Sequence, residues 1–216
     1  KQVLPQVKGV VLSDYGSGTI TDKLLGQIFA YCQENNIPTI VDSRYDILRF
    51  KTVDYIKQND AELSAAIGRD LATEEELVQG GCELLVKMSA KGALITRGED
   101  GMSLFQIISP QEAADYLKSQ EVSGSGEAGQ FREGLTVKLV VKRQTGRLSV
   151  VQELISYQDR DILVSHIPVT DKSEVYDVSG AGDTCVATVI LGLAAGLEPL
   201  LACQLSNEAS GIAVRK

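Results

Sequence analysis

The feature that most constrains this chain is a glycine-rich octapeptide at residues 177–184, with the sequence DVSGAGDT. It follows a short apolar stretch and precedes an Ala/Val/Leu-rich run from Val186 to Leu197, which predicts a buried helix. Because Gly180 and Gly182 lack a Cβ atom, the backbone of this turn can come very close to a ligand. At the start of a helix, unpaired N–H groups and the positive end of the dipole favour an anion such as phosphate.

A carboxylate beside the turn adds a candidate base. Asp183 directly follows Gly182, so a proton acceptor would lie next to a bound phosphate. A base and a phosphate cradle together are what transfer of a phosphoryl group to an alcohol requires. An ordinary strand-to-helix turn with a capping aspartate is the alternative explanation of the same residues.

Length and charge narrow the class of protein. A chain of 216 residues fits one moderate domain, or one domain that carries a small insertion. The formal charge of −8 argues against a nucleic-acid surface or an anchor on an anionic membrane. No apolar run reaches membrane-spanning length, and no signal peptide is visible.

Cysteine and histidine usage argues against a metal site that is built from these two residue types. The four cysteines are widely spaced and contain no Cys-x-x-Cys pair, so they predict small core residues in a reducing cytoplasm. His166 is the one histidine, which leaves little material for a histidine metal site or a Ser-His-Asp triad. Its place before an Ile-Pro pair is typical of a strand end.

The N-terminal region has the pattern of a βαβ unit. Val7–Ser13 and Ile37–Val41 are short, nearly continuous apolar runs, as in parallel strands that are buried on both faces. Thr21–Asn35 between them has helical periodicity. Phe50–Val53 resembles another short strand. This order of elements predicts an α/β fold.

A capped helix and a hairpin follow. Glu74–Ser89 is predicted as a helix, with Thr73 as N-cap and Glu76 completing a capping box. Ala93–Thr96 is predicted as a strand, and Met102–Gln106 as the strand that returns after a glycine-containing turn.

The stretch 107–163 interrupts the alternation of predicted strands and helices. A helix is predicted from Pro110 to Gln120, and residues 123–129 have the composition of a flexible linker. Leu135–Val141 and Leu148–Ile155 predict the two strands of a hairpin, joined by residues 142–147. A final helix is predicted over Leu200–Val214, with its apolar side formed by Ala202, Leu205, Ala209 and Ile212.

The octapeptide closely resembles the C-terminal signature of the ribokinase/PfkB family of carbohydrate kinases. Four other segments resemble family motifs and occur in the family's order: Val11–Gly18, Asn59–Leu63, Thr96–Gly101 and Ser206–Gly211. Within the family, the sequences of these segments are most similar to those of bacterial D-glycero-β-D-manno-heptose-7-phosphate kinases. Those enzymes act in the synthesis of ADP-heptose, so the resemblance implies a heptose phosphate as the acceptor.

The resemblance also implies an architecture. We expect residues 1–216 to form a single, partial ribokinase-like domain, with a mainly parallel sheet between helices. The family's N-terminal strands and small β lid would be absent, and residues 107–163 would be an inserted helix-and-hairpin element. Missing strands would leave an exposed sheet edge, which predicts a homo-oligomer or a partner chain that covers it.

Catalytic roles follow from the match to the signature. Asp183 would be the base that takes the proton from the acceptor hydroxyl. The amides of Gly180, Ala181 and Gly182 would form the anion hole for charge that develops on the γ-phosphate.

The other matching segments imply nucleotide, metal and substrate contacts. Residues expected to contact ATP are Thr96, Arg97, Gly98 and Gly101 near its phosphates and ribose, and Asn207 and Gly211 beside its adenine. Asn59 and Glu62 would help to hold Mg²⁺, mostly through water. Asp14 and Arg44, each after a predicted strand, are expected to bind substrate: Asp14 would touch the acceptor or the metal, and Arg44 would lie near phosphate. Ordinary structural roles, such as helix caps, turns and surface ion pairs, remain the alternatives at each position.

Three functions are therefore carried forward. The first is an ATP-dependent kinase, with Mg²⁺, that acts on a heptose phosphate in the cytoplasm. The second is another PfkB-family sugar kinase, for ribose, fructose or a similar sugar. The third is a non-catalytic ribokinase-like module that binds nucleotide or a partner. None of them involves nucleic acid or a membrane.

Overall fold

The computed structural model describes residues 3–123, 126–128, 131–132, 134–145, 148–169 and 180–214. The first part of the octapeptide, Asp177 to Ser179, lies outside the described residues. So do parts of the predicted linker (124–125 and 129) and the end of the predicted turn (146–147).

The described strands form one mixed sheet. Its ten strands are β1 (Val10–Asp14), β2 (Thr39–Ser43), β3 (Tyr55–Asn59), β4 (Gly92–Thr96), β5 (Met102–Ile108), β6 (Gly126–Ala128), β7 (Phe131–Arg132), β8 (Leu135–Thr145), β9 (Leu148–Tyr157) and β10 (Arg160–Ile167). They lie in the order β1-β2-β3-β4-β5-β10-β9-β8-β6, and β7 pairs with β8. Strands β1 to β4 are parallel, whereas every later pairing is antiparallel.

Helices cover both faces of this sheet. They are α1 (Asp22–Glu34), α2 (Asp60–Ile67), α3 (Glu74–Met88), α4 (Pro110–Ser123), α5 (Ala181–Ala194) and α6 (Pro199–Ala213). One apolar core joins α1, α2 and α3 to strand residues such as Ile56 and Phe105. A second core joins α5 and α6 to the opposite face, including Ile40 and Leu104. The predicted α/β architecture is confirmed. The sheet is mixed rather than mainly parallel, because the short connections that join β4 to β5, β8 to β9 and β9 to β10 make these strands antiparallel.

Local signals define where the helices begin. The predicted capping box of α3 is present: Thr73 Oγ1 accepts from Glu76 N at 3.2 Å, and Glu76 Oε2 accepts from Thr73 N at 2.9 Å. Thr21 Oγ1 caps α1 by accepting from Leu24 N at 3.3 Å. Side-chain caps of this kind satisfy N–H groups that have no partner within the helix.

Two expectations about elements were wrong. Phe50–Val53 is a connection rather than a strand, and the strand lies at Tyr55–Asn59 instead. Phe50 and Val53 are apolar because the connection is buried, not because it is extended. On α6, Leu205 and Ile212 are exposed, whereas Gln204 and Asn207 are buried. The helix packs on α5 and the sheet with a partly polar face, so its hydrophobic period misled the prediction.

The predicted hairpin within 107–163 is formed by β8 and β9. Through β10 it continues the main sheet beyond β5. The predicted burial of Cys32, Cys82, Cys185 and Cys203 is confirmed, and burial raises the pKa of the Cys82 thiol to about 12. Within the described ranges, no helix has the length and hydropathy needed to cross a lipid bilayer.

Candidate active site

The predicted site residues that follow parallel strands share one edge of the sheet. Asp14, Ser43, Asn59 and Thr96 end β1, β2, β3 and β4 respectively, and parallel pairing places these ends side by side. Ligands of open α/β sheets bind at this edge. The topology therefore brings together residues that are far apart in the sequence.

Asp14 is buried and anchored at this edge. It is 5% exposed, and its carboxylate accepts hydrogen bonds from Ser43 Oγ at 3.1 Å and Gly16 N at 3.2 Å. Arg44 N donates to the backbone oxygen of Asp14 at 3.0 Å, while the exposed Arg44 guanidinium lies 5.9 Å from the centre of the Tyr45 ring. Asp14 thus holds the end of β1 against the end of β2, and Arg44 extends towards solvent.

Helix α5 begins within the glycine turn, as the sequence predicts. Gly180 is its N-cap with φ of +79°, in the left-handed region that glycine adopts without strain. Ala181, Gly182 and Asp183 form the first turn, and none of the side chains that the structure describes caps it. The first N–H groups of a helix have no partner within the helix, so this end remains able to bind an anion. Asp183 is exposed beside them.

A lysine that the sequence analysis did not select lies next to this turn. Lys57 is in β3 and is only 5% exposed. Its Nζ lies 3.2 Å from Asp42 Oδ2 and 4.0 Å from Glu62 Oε2. A Cβ atom added to Gly182 would come within 3.2 Å of the same Nζ, so the ammonium packs against the backbone of the first turn of α5.

Asp42 is the second residue that was missed. Burial raises the pKa of its carboxyl group, and repulsion from Glu62 and Asp183 adds to the increase, whereas Lys57 opposes it. The effect of Asp183 indicates that the candidate base lies within electrostatic range of the Lys57–Asp42 pair. Its place directly after the predicted strand Ile37–Val41 was the available signal for Asp42. For Lys57, the wrong strand position at 50–53 concealed its place in β3.

Asn59 and Glu62 cap helix α2. Asn59 Oδ1 accepts from Glu62 N at 2.7 Å, and Glu62 Oε2 accepts from Asn59 N at 2.8 Å. The amide oxygen of Asn59 and the carboxylate of Glu62 are oxygen ligands of the kind that Mg²⁺ prefers, and both keep further lone pairs. Within the described ranges, no group of three or more His, Cys, Asp or Glu residues is arranged to hold a metal ion. The pair therefore fits water-mediated contact with Mg²⁺ rather than a closed protein site.

The turn after β4 is anchored to the end of β10. Gly98 and Gly101 have φ values of +54° and +86°, and Arg97 N donates to the Gly101 oxygen at 2.8 Å. A Cβ atom at Gly101 would lie 2.1 Å from the Ile167 oxygen, so this position requires glycine. The Arg97 guanidinium forms an ion pair with Glu74 and contacts Ser103 Oγ at 3.4 Å. Thr96 Oγ1 contacts the Gln58 oxygen at 3.5 Å.

Helix α6 reaches the same region. Asn207 is buried, and its Nδ2 donates to the Pro168 oxygen at 2.7 Å, directly after the strand end that Gly101 contacts. Gly211 lies one turn further along α6 and is partly buried. Ser210 Oγ donates to the Ala181 oxygen at 3.1 Å, which fastens α6 to the start of α5. The two predicted adenine contacts are therefore close to the glycine turn of α5.

Comparison with known proteins agrees with this geometry. A sequence profile described as pfkB family carbohydrate kinase matches residues 1–123 and 154–216, which is more than half of the chain. The chain belongs to the pfkB family of carbohydrate kinases. The profile leaves unmatched only residues that lie within the predicted insertion, although the limits of that insertion stay a prediction.

Several bacterial relatives of this pfkB-family chain are named bifunctional protein HldE. The protein from Mesorhizobium japonicum is 29% identical over 208 residues, which is 96% of this chain and 31% of the relative. The protein from Aeromonas hydrophila is 30% identical over 217 residues, which is 100% of this chain and 34% of the relative. The chain thus spans about a third of the length of the curated relatives that it matches.

Solved structures of pfkB-type kinases share the fold. Arabidopsis thaliana ribokinase, solved with ribose and ATP, superimposes with a TM-score of 0.61 at 17% identity. Escherichia coli phosphofructokinase-2, solved with substrates and products, gives 0.58 at 19% identity. Each match covers 99% or more of this chain and 52–53% of the solved chain. The predicted ribokinase-like fold is confirmed.

Proposed function

We propose that this chain carries the phosphoryl-transfer site of an ATP-dependent kinase whose acceptor is a hydroxyl group of a heptose phosphate. One observation carries the proposal: Asp183 lies in the uncapped first turn of α5, beside Gly180 and Gly182, at the edge where the parallel strands end. A base and a set of unpaired N–H groups therefore share one place, as phosphoryl transfer requires.

In the proposed reaction, the acceptor oxygen attacks the γ-phosphorus while Asp183 takes the proton from that hydroxyl. The bond between the γ-phosphorus and the β–γ bridging oxygen breaks, so the products are ADP and a phosphate ester. The amides at the start of α5 stabilise the negative charge on the transferred group. Mg²⁺, when it accompanies ATP, would neutralise phosphate charge, with Asn59 and Glu62 near its water shell.

The remaining predicted residues are assigned by position. Gly98 and Gly101 would let the nucleotide approach the turn after β4, and Asn207 and Gly211 would lie beside its base. Asp14 would lie nearer the acceptor. Arg97 is the residue whose role needs most adjustment, because nucleotide would have to compete with Glu74 for its guanidinium.

The acceptor is proposed from resemblance. The sequences of the motifs favour a heptose phosphate, whereas kinases with the same fold were solved in complex with ribose and with fructose 6-phosphate. A panel of heptose 7-phosphate, ribose and fructose 6-phosphate therefore separates the first two functional hypotheses.

The decisive experiment is acceptor-dependent release of ADP from Mg-ATP. Asp183→Asn removes the base and should lower the rate by about a hundred- to ten-thousand-fold. Asp159→Asn, at an exposed aspartate that precedes β10 at the end opposite Ile167, is the matched control and should keep full activity. ATP binding without ADP release for any acceptor would instead favour the non-catalytic module.

We also propose that the exposed edge of β1 is covered by a second copy or a partner chain. Strand β1 ends the sheet order, and β2 is its neighbour within the described part of the sheet. A solved E. coli phosphofructokinase-2 of the same fold is described as tetrameric. Light scattering after gel filtration should show an oligomer, and a well-behaved monomer would contradict the proposed covering of β1.

We further propose that the reaction takes place in the cytoplasm, where ATP is available.

A further inference from the structure

Burying the ammonium of Lys57 carries a free-energy cost, because the charge is removed from water. Removing a charge from water is offset only when partners and hydrogen bonds replace the water. Asp42 and Glu62 supply two carboxylates, at 3.2 and 4.0 Å from Nζ. Apolar residues of similar size often stabilise a protein as well as a buried ion pair does. Stability alone is therefore a weak explanation for a lysine at this position.

The position of Nζ supplies a better explanation. A Cβ atom at Gly182 would approach Nζ to 3.2 Å, so the ammonium lies against the uncapped first turn of α5. The positive end of the helix dipole and a lysine ammonium thus converge on one place. An anion bound beside both would be attracted by the ammonium and by the end of the helix together.

We infer that Lys57 contacts a terminal phosphate of the bound nucleotide and helps to position it over the first turn of α5. Lys57 carries three donors, and Asp42 and Glu62 hold the ammonium in place on its protein side. The phosphate would become its third anionic partner. Lys57 would act as a positioning residue, with Asp183 as the base. The inference rests on the nucleotide-binding half of the proposed function, and not on the identity of the acceptor.

Calorimetric binding of ATP, ADP, AMP and adenosine, each with Mg²⁺, tests this inference. Lys57→Met keeps most of the apolar stem and removes the charge, so the affinity for ATP should fall about ten- to hundredfold while that for adenosine stays unchanged. Lys91→Met is the matched control, because Lys91 pairs with Asp54 at the opposite end of β4 and should bind all four ligands normally. Because Lys57→Met leaves Asp42 buried without its cation, a second variant controls for loss of the fold. The double variant Lys57→Met with Asp42→Asn removes both charges and should fold, with the same selective loss of ATP affinity.

The outcomes separate the two proposals. Equal losses for ATP and adenosine, or no loss for either, would overturn the inference and leave Lys57 as a structural ion-pair residue. Wild-type protein that binds ATP no more tightly than adenosine would overturn it as well. Lys57-dependent ATP binding in a chain that releases no ADP with any acceptor would support the inference while contradicting the proposed kinase reaction.

Discussion

The two halves of the sheet place buried polar groups differently. In the antiparallel half, formed by β5 to β10, such groups lie within strands and bond to one another. Gln152 Nε2 donates to Ser165 Oγ at 2.9 Å, and Tyr116 Oη donates to Gln152 Oε1 at 3.3 Å. In the parallel half, β1 to β4, Asp14 instead lies at a strand end, and Lys57 lies near one and contacts the start of α5.

This difference separates structural polar groups from those that can serve a ligand. A polar group within a strand is enclosed by its neighbours, so its partners must come from the protein. A group at the carboxyl end of a parallel strand faces a crevice that another molecule can enter. Asp14, Asn59 and Thr96, at the carboxyl ends of β1, β3 and β4, belong to the second kind. The missed Lys57 lies two residues before the end of β3, where its ammonium contacts the first turn of α5.

The first prediction concerns whether the halves are one folding unit. Ile56 in β3 and Ile155 in β9 are both fully buried in the same apolar core. Ile56→Ala and Ile155→Ala should each lower the free energy of unfolding by about 2–5 kcal/mol, because each leaves a cavity. Urea denaturation followed by circular dichroism measures both. A negligible effect of Ile155→Ala, with a large effect of Ile56→Ala, would mean that the antiparallel half unfolds separately.

The second prediction uses two buried glutamines with opposite environments. Gln152→Leu should destabilise the protein by about 1–3 kcal/mol, because Ser165 and Tyr116 lose a hydrogen-bond partner. Gln204 in α6 is as buried, yet its Nε2 has no hydrogen-bond partner among the described residues. Gln204→Leu should therefore stabilise the protein by a similar amount.

Thermal or urea denaturation of both glutamine variants gives the answer. If both substitutions changed stability in the same direction, the assigned difference between the hydrogen-bonded Gln152 and Gln204 would be contradicted. Each variant should retain the wild-type circular dichroism spectrum, which is the control for a changed fold.

The third and smallest prediction concerns the capping box at the start of α3. Thr73→Ala should cost about 1 kcal/mol of stability through loss of the cap. Hydrogen bonds from Thr73 and Ala72 lower the pKa of Glu76 below its ordinary value in the folded chain. The stabilising contribution of Glu76 is therefore present above its unfolded pKa and is lost as the pH falls through its folded pKa.

Melting temperatures across pH test the Glu76 effect. The difference between wild type and Glu76→Gln should be greatest near neutral pH and should vanish in acid. Glu75→Gln, at the neighbouring exposed position, is the control and should follow wild type at all pH values. A Glu76 difference that grows as the pH falls would contradict the assigned direction.

Much of the fold was accessible from sequence because its signals are local. The capping box at Thr73 and Glu76, the strand at 92–96 and the helix after Gly180 depend on residues that are close together in the chain. The strand expected at 50–53 was wrong because a buried connection and a buried strand have similar composition. The insertion limits and the individual site roles stay predictions.

The sequence by itself determined the α/β class, the glycine turn with Asp183 beside it, and the family to which the chain belongs. Only the tertiary structure decided which distant groups meet: Lys57 against Gly182, Arg97 with Glu74, and Asn207 with the end of β10. The physical reason is that caps and turns are set by neighbouring residues. An ion pair or a close backbone contact depends on strand order and helix placement, which are non-local properties of the packed core.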